Sequence, residues 1–115
     1  MTNANPYDKA HELARALEES QLYLDYIEAQ KKLARDPEAL KKVQEFRAQQ
    51  MKVNQASMMG QEPDQNLVND LPIQFAKLNL DKQIAQFFEA EGKFVQMFTD
   101  IQQILQNSLE KGFQD

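Results

Sequence analysis

One apolar pattern, running from Ile84 to Leu109, constrains this chain more than any other feature. Ile84, Phe87, Glu91, Phe94, Phe98, Ile101 and Leu105 follow one another in steps of three and four, the spacing of a heptad seam on a helix. Phe88, Val95 and Leu109 flank the seam on one side, and Met97 and Ile104 on the other. The resulting apolar arc is wider than a two-stranded coiled coil uses, so the helix is expected to be covered by several neighbours. No proline interrupts it. Gly92 falls on the polar side, where it costs roughly 1 kcal/mol relative to Ala.

The remainder of the chain also reads as helix. Asn5 before Pro6 fits an N-cap and first helical residue, opening a helix over about 6–18 with Ala10, Leu13, Ala14 and Leu17 on one face. Ser20 caps a second helix, 20–34, carrying Leu22, Tyr23, Tyr26, Ile27 and Leu33. Pro37 ends it, because a residue before proline is pushed out of helical geometry. Asp36 then caps a third helix, 37–59, with Leu40, Val43, Phe46, Gln50 and Val53 facing one way and Gly60 as its left-handed stop. Residues 65–78 form a fourth helix that contains Pro72. Either Asp70 caps a new short helix there or one helix kinks, and an interruption near Pro72 is the favoured expectation. Asn79 to Asp81 turns into the final helix, 81–111. Long helices joined by short turns predict an all-α fold, an antiparallel bundle of four to five helices around a long C-terminal helix. At 115 residues one helical domain is expected over 1–115.

Composition removes several functions. Eighteen acidic residues against 13 basic ones give a net charge of −5, which argues against direct nucleic-acid binding, since that affinity comes mainly from Lys and Arg on phosphates. Without a single Cys there are no disulfides, thiolate metal sites or Cys nucleophiles. The polar stretch Met1 to Pro6 does not resemble a signal peptide, and no apolar run reaches the ~18 residues of a membrane span. A soluble cytoplasmic protein is expected.

Chemistry-bearing constellations are sparse. Asp8 and His11 share one side of the first helix and resemble half of a di-iron bundle motif, which needs a second such pair and two further Glu. There is no second His, so no metal and no cofactor are expected. The pairs Glu18–Glu19 and Glu89–Glu91 read as solvated helix faces. Glu91, at a seam position, either fixes register or oligomeric state or is lifted to the rim by local rotation. Lys9, Arg15 and Arg47 are its candidate partners. Phe87, Phe88, Phe94 and Phe98, lacking interleaved Arg or Lys, read as core rather than as a base-stacking platform. Met51, Met58 and Met59 suit an adaptable partner surface or, more simply, a packed helix end. Phosphate-binding, dinucleotide-binding and nucleophile-elbow motifs are missing, and no nucleophile–base pair supports an enzyme.

The segment Asn5-Pro6-Tyr7-Asp8-x-Ala10-x-x-Leu13-x-x-Ala16-Leu17-x-x-Ser20 is similar to the opening of the YlbF/YmcA family of small bacterial helical proteins. Phe46-Arg47-x-x-Gln50, Met58-x-Gly60-x-Glu62 and Ile84-Ala85-Gln86-x-x-Glu89-Ala90-Glu91 extend the resemblance over nearly the whole chain, especially to a YheA-like branch. The resemblance implies a usually dimeric all-α bundle without known catalytic residues. Better-studied relatives regulate competence, sporulation and biofilm formation together with a third protein, by modulating messenger-RNA processing by the membrane-anchored ribonuclease Y. Those relatives hold iron–sulfur clusters on Cys residues, which this chain lacks, so the cofactor is not carried over.

Two functions are therefore expected to compete. The first is a non-catalytic, protein-binding adaptor acting as a homodimer or higher homo-oligomer, linked to messenger-RNA processing or developmental regulation. The alternative is a small holdase-like chaperone with an exposed Met and Phe surface. The oligomer contact is expected along Phe87, Glu91, Phe94, Phe98, Ile101 and Leu105, centred on Phe94, Phe98 and Ile101. Full burial of Phe98 there would make its truncation to Ala cost roughly 3–5 kcal/mol.

Overall fold

The computed structural model describes residues 5–113. Five helices fill them: α1 (Pro6–Glu19), α2 (Gln21–Ala34), α3 (Pro37–Met58), α4 (Gln65–Leu78) and α5 (Lys82–Glu110), followed by a 3-10 turn, Lys111–Phe113. No strand occurs among the described residues. The fold is all-α, as the periodicity predicts.

Each helix starts where a side chain satisfies its first exposed N–H groups. Asn5 Oδ1 accepts from Tyr7 N at 2.8 Å. Ser20 serves two helices at once, its hydroxyl donating to the Leu17 carbonyl of α1 and accepting from Tyr23 N of α2. Asp36 accepts from Ala39 N at 3.2 Å, with Pro37 in the first turn of α3. Asp64 caps α4 and Asp81 caps α5. At the far end of α3, Gly60 adopts φ +73°. Gly60 N donates to the Ser57 carbonyl and Gln61 N to the Ala56 carbonyl, the paired bonds of a Schellman stop. A Cβ at Gly60 would meet nothing within 4 Å, so Gly60→Ala is expected to cost only the left-handed strain, about 1–2 kcal/mol, read from urea unfolding.

The interruption expected near Pro72 is absent. Helix α4 runs continuously from Gln65 to Leu78 with Pro72 inside it. Proline removes one N–H from the ladder, but α4 packs along α3, and that contact holds the helix on both sides of the missing bond. Asp70, the alternative cap, instead accepts from Gln74 Nε2 one turn along α4.

The chain divides into two compact units: a central one, Ala29–Phe88, and a terminal one made of Met1–Glu28 with Glu89–Asp115. All six buried hydrophobic residues among those described, Leu33, Ala39, Val43, Phe46, Ile84 and Phe87, belong to the central unit. There the Phe46 ring meets Phe75 at 5.8 Å and Phe88 at 6.1 Å. Gln83 Nε2 donates to the Lys32 carbonyl at 2.7 Å, tying the start of α5 to the end of α2. In the terminal unit no described residue is fully buried; Leu17, Leu22, Tyr23, Tyr26, Ile27 and Phe94 are half-buried.

Candidate interaction surface

Within the terminal unit, α2 and α5 meet through aromatic rings. Tyr26 stacks on Phe94 at 5.6 Å and 12°, Tyr23 tilts against the same ring at 5.3 Å, and Phe98 lies 6.4 Å further along. The tyrosines are three positions apart on α2, so one helical face presents both phenols. Phe94 is the knob between them.

Glu91 sits one turn before Phe94 and is half-buried. Tyr26 Oη donates to its Oε2 at 3.4 Å. The phenol was not among the expected partners of Glu91; the signal for it was Tyr26 itself, because a half-buried hydroxyl needs an acceptor. Lys9 pairs with Glu12 at 3.2 Å. The guanidinium of Arg47 lies over Phe87 and Phe88, 5.8 and 5.7 Å from the ring centroids. Tyr26→Phe is expected to destabilise the chain by about 1 kcal/mol while leaving the ring stack in place. The check is a urea titration beside Tyr23→Phe.

The six seam positions separate along α5. Phe87 is buried in the central unit, so its side chain belongs to the chain's own core. Glu91, Phe94 and Ile101 are half-buried. Phe98 is 43% exposed, Leu105 55% and Leu109 69%, with Val95 and Ile104 exposed beside them. The cover expected for the whole arc therefore stops near Phe98. At 1.5 Å per residue the 29 residues of α5 span about 44 Å, whereas α1 and α2, with 14 each, span about 21 Å. Phe98, Leu105 and Leu109 remain as an exposed apolar stripe on α5, with the half-buried Ile101 among them.

The methionines lie elsewhere. Met58 and Met59, at the end of α3, are almost fully exposed, so they do not form the packed helix end that was the simpler expectation. Met51 is exposed too and borders an open apolar cleft of about 400 Å³ with Leu33, Leu40, Val43 and Phe87. His11 and Asp8 are exposed on α1. No three His, Cys, Asp or Glu side chains gather into a metal-holding group among the described residues. No described helix is long and apolar enough to cross a membrane.

Comparison with known proteins places these features in a lineage. Residues 7–110 match the family model described as control of competence regulator ComK, YlbF/YmcA. A UPF0342 protein of Staphylococcus epidermidis is 32% identical over 111 residues, 96% of this chain and 97% of that protein. UPF0342 proteins of Shouchella clausii (29% over 108 residues, 94% and 92% of the two chains) and Caldicellulosiruptor bescii (28% over 106, 92% and 89%) are also similar.

Proposed function

The chain belongs to the YlbF/YmcA family, and from that premise we propose that it is a non-catalytic regulatory adaptor of the cytoplasm that works by pairing with protein partners. The observation that supports this most is the exposed stripe Phe98, Leu105 and Leu109 on α5. A free chain rarely leaves a contiguous apolar patch of more than a few hundred Å² in water, so a second protein surface is the natural cover. A second copy of the chain is the first occupant, because two like stripes bury each other symmetrically. The homodimer then presents Met58 and Met59, adaptable side chains suited to a regulatory partner.

The family description ties this lineage to control of a competence regulator, so the pathway we propose is developmental regulation or messenger-RNA processing. The net charge of −5 opposes phosphate binding, so any effect on RNA runs through a protein.

The test is capture from the native cytoplasm with tagged wild-type chain and a Met58→Glu/Met59→Glu variant, read by quantitative mass spectrometry. The adaptor reading expects one protein in stoichiometric amount with the wild type, reduced at least about tenfold by the variant, a loss of roughly 1.4 kcal/mol. Many unrelated chains captured in comparable amounts, together with stoichiometric suppression of their aggregation, would favour a holdase and sink the adaptor.

A further inference from the structure

The second half of α5 has two apolar sides. Phe94, Met97 and Ile101 are half-buried and lie on the side where Phe94 meets the tyrosines of α2. Val95, Phe98, Gln102, Leu105 and Leu109 follow one another in steps of three, four, three and four, and all five are exposed. At 3.6 residues per turn they fall within about 80° of the helix circumference. Lys93 and Asp100 are the only charged residues between Gly92 and Leu109, and they lie about 160–180° from the centre of that open side.

The open side suits its own copy. It is neutral, so a partner recognised by ion pairs finds no charge to hold, and two chains of net charge −5 meet there without opposed like charges. Its spacing reads nearly alike in both directions. Val95 and Leu109 each stand seven positions from Gln102, while Phe98 and Leu105 stand four and three away. Gln102, in the middle, carries a primary amide that is donor and acceptor at once, so it can pair with its own copy across a two-fold axis.

Glu91 fixes the direction. It falls in the same angular sector, one turn before Val95, and is half-buried with its Oε2 accepting from Tyr26. Parallel helices in register at Gln102 would set this carboxylate against its own copy, a like-charge contact that costs stability. Antiparallel helices hold the two carboxylates about 33 Å apart along the axis and oppose the helix dipoles.

We propose that two copies pair through α5 in antiparallel register, with the two-fold axis at Gln102. Val95 of each copy packs on Leu109 of the other, Phe98 packs on Leu105, and the two Gln102 amides bond each other. This pairing rests on the homodimer proposed for the chain and gives it a direction and a register.

The chain has no Cys, so single cysteines report the register by disulfide cross-linking of the full chain. Gln102→Cys, Val95→Cys, Leu109→Cys and, off the open side, Gln103→Cys are oxidised with diamide and read on non-reducing gels, beside sedimentation of the wild type. All four positions are exposed, so the substitutions leave the chain's own core intact. Gln102→Cys is expected to link to itself, and Gln103→Cys to stay unlinked. Val95→Cys and Leu109→Cys are each expected to stay unlinked alone. In antiparallel register each lies about 21 Å from its own copy along the axis, beyond the roughly 7 Å that a disulfide spans between Cα atoms. Refolded together, with a size tag on one, they are expected to link as the mixed pair. Should Gln102→Cys abolish pairing, that mixture decides alone. Self-linking of Val95→Cys and Leu109→Cys means parallel helices and overturns the proposal. A dimer mass without the mixed link overturns it too but leaves the homodimer standing, whereas a monomeric wild type removes both.

Discussion

Truncating Phe46 to Ala is expected to lower the unfolding free energy by about 3–5 kcal/mol. The side chain is 4% exposed and joins three helices, its ring on α3 meeting Phe75 of α4 and Phe88 of α5. Its removal loses the transfer free energy of the ring and leaves a hole lined by two other rings that cannot close over it without breaking their own contact at 5.1 Å. Aromatic pairs add about 0.5–1.5 kcal/mol beyond their buried area, so the loss belongs toward the upper end of that range. Against a total stability of about 5–15 kcal/mol, that is a large fraction of what keeps the chain folded. Urea unfolding followed by far-ultraviolet circular dichroism measures it, with Phe46→Leu as a milder control that refills part of the volume. A cost below about 1 kcal/mol would mean that the aromatic cluster is not what holds α3, α4 and the first turns of α5 together.

The second large effect is expected in mass rather than in stability. At tens of micromolar the wild-type chain should sediment at twice the single-chain mass, and Phe98→Glu/Leu105→Glu should sediment as single chains. Each new carboxylate would have to be buried, unpaired, against the apolar stripe of the second copy, at several kcal/mol. Dissociation should therefore become at least about a hundredfold easier. The same positions predict little change within one chain. Phe98 is 43% exposed, so the 3–5 kcal/mol expected for its full burial does not apply to the isolated chain, and Phe98→Ala should cost much less there. The full cost should appear only as a concentration-dependent term in the unfolding of the assembly. A wild type that runs as a clean monomer would remove the homodimer from the proposed function.

Helix starts at Asn5, Ser20 and Asp36, and the stop at Gly60, were legible because the physics there is local. One side chain and the next few N–H groups decide the outcome. Pro72 was misread for the opposite reason: its local cost is real, but packing of α4 on α3 outweighs it, and one sequence reports the cost without the packing. The α5 arc shows a related limit. Periodicity identifies which residues share a face, not how much chain is available to cover it, so Phe87 and Leu105 look alike in sequence and differ fully in burial. Glu91 stands out in the sequence as a polar interruption of the seam, whereas its bond to Tyr26 joins residues 65 positions apart, beyond the reach of any periodic pattern.

That separation of 65 positions also sets a timetable. At a ribosome, with about 5–20 residues added each second, Tyr26 emerges roughly 3–13 s before Glu91 and Phe94 exist to meet it. The central segment, which holds all the buried residues among those described, ends at Phe88, so it too is completed only at the close of that wait, while α1 and the first half of α2 stand with their aromatic face open throughout. Neighbouring ribosomes on one message place finished α5 helices beside such waiting faces. The Phe94 of an older sister chain fits there as well as the chain's own, because the two are chemically identical. Exchange of α5 between nascent chains is thus a built-in competitor of correct closure, and its frequency should rise with the density of ribosomes on the message.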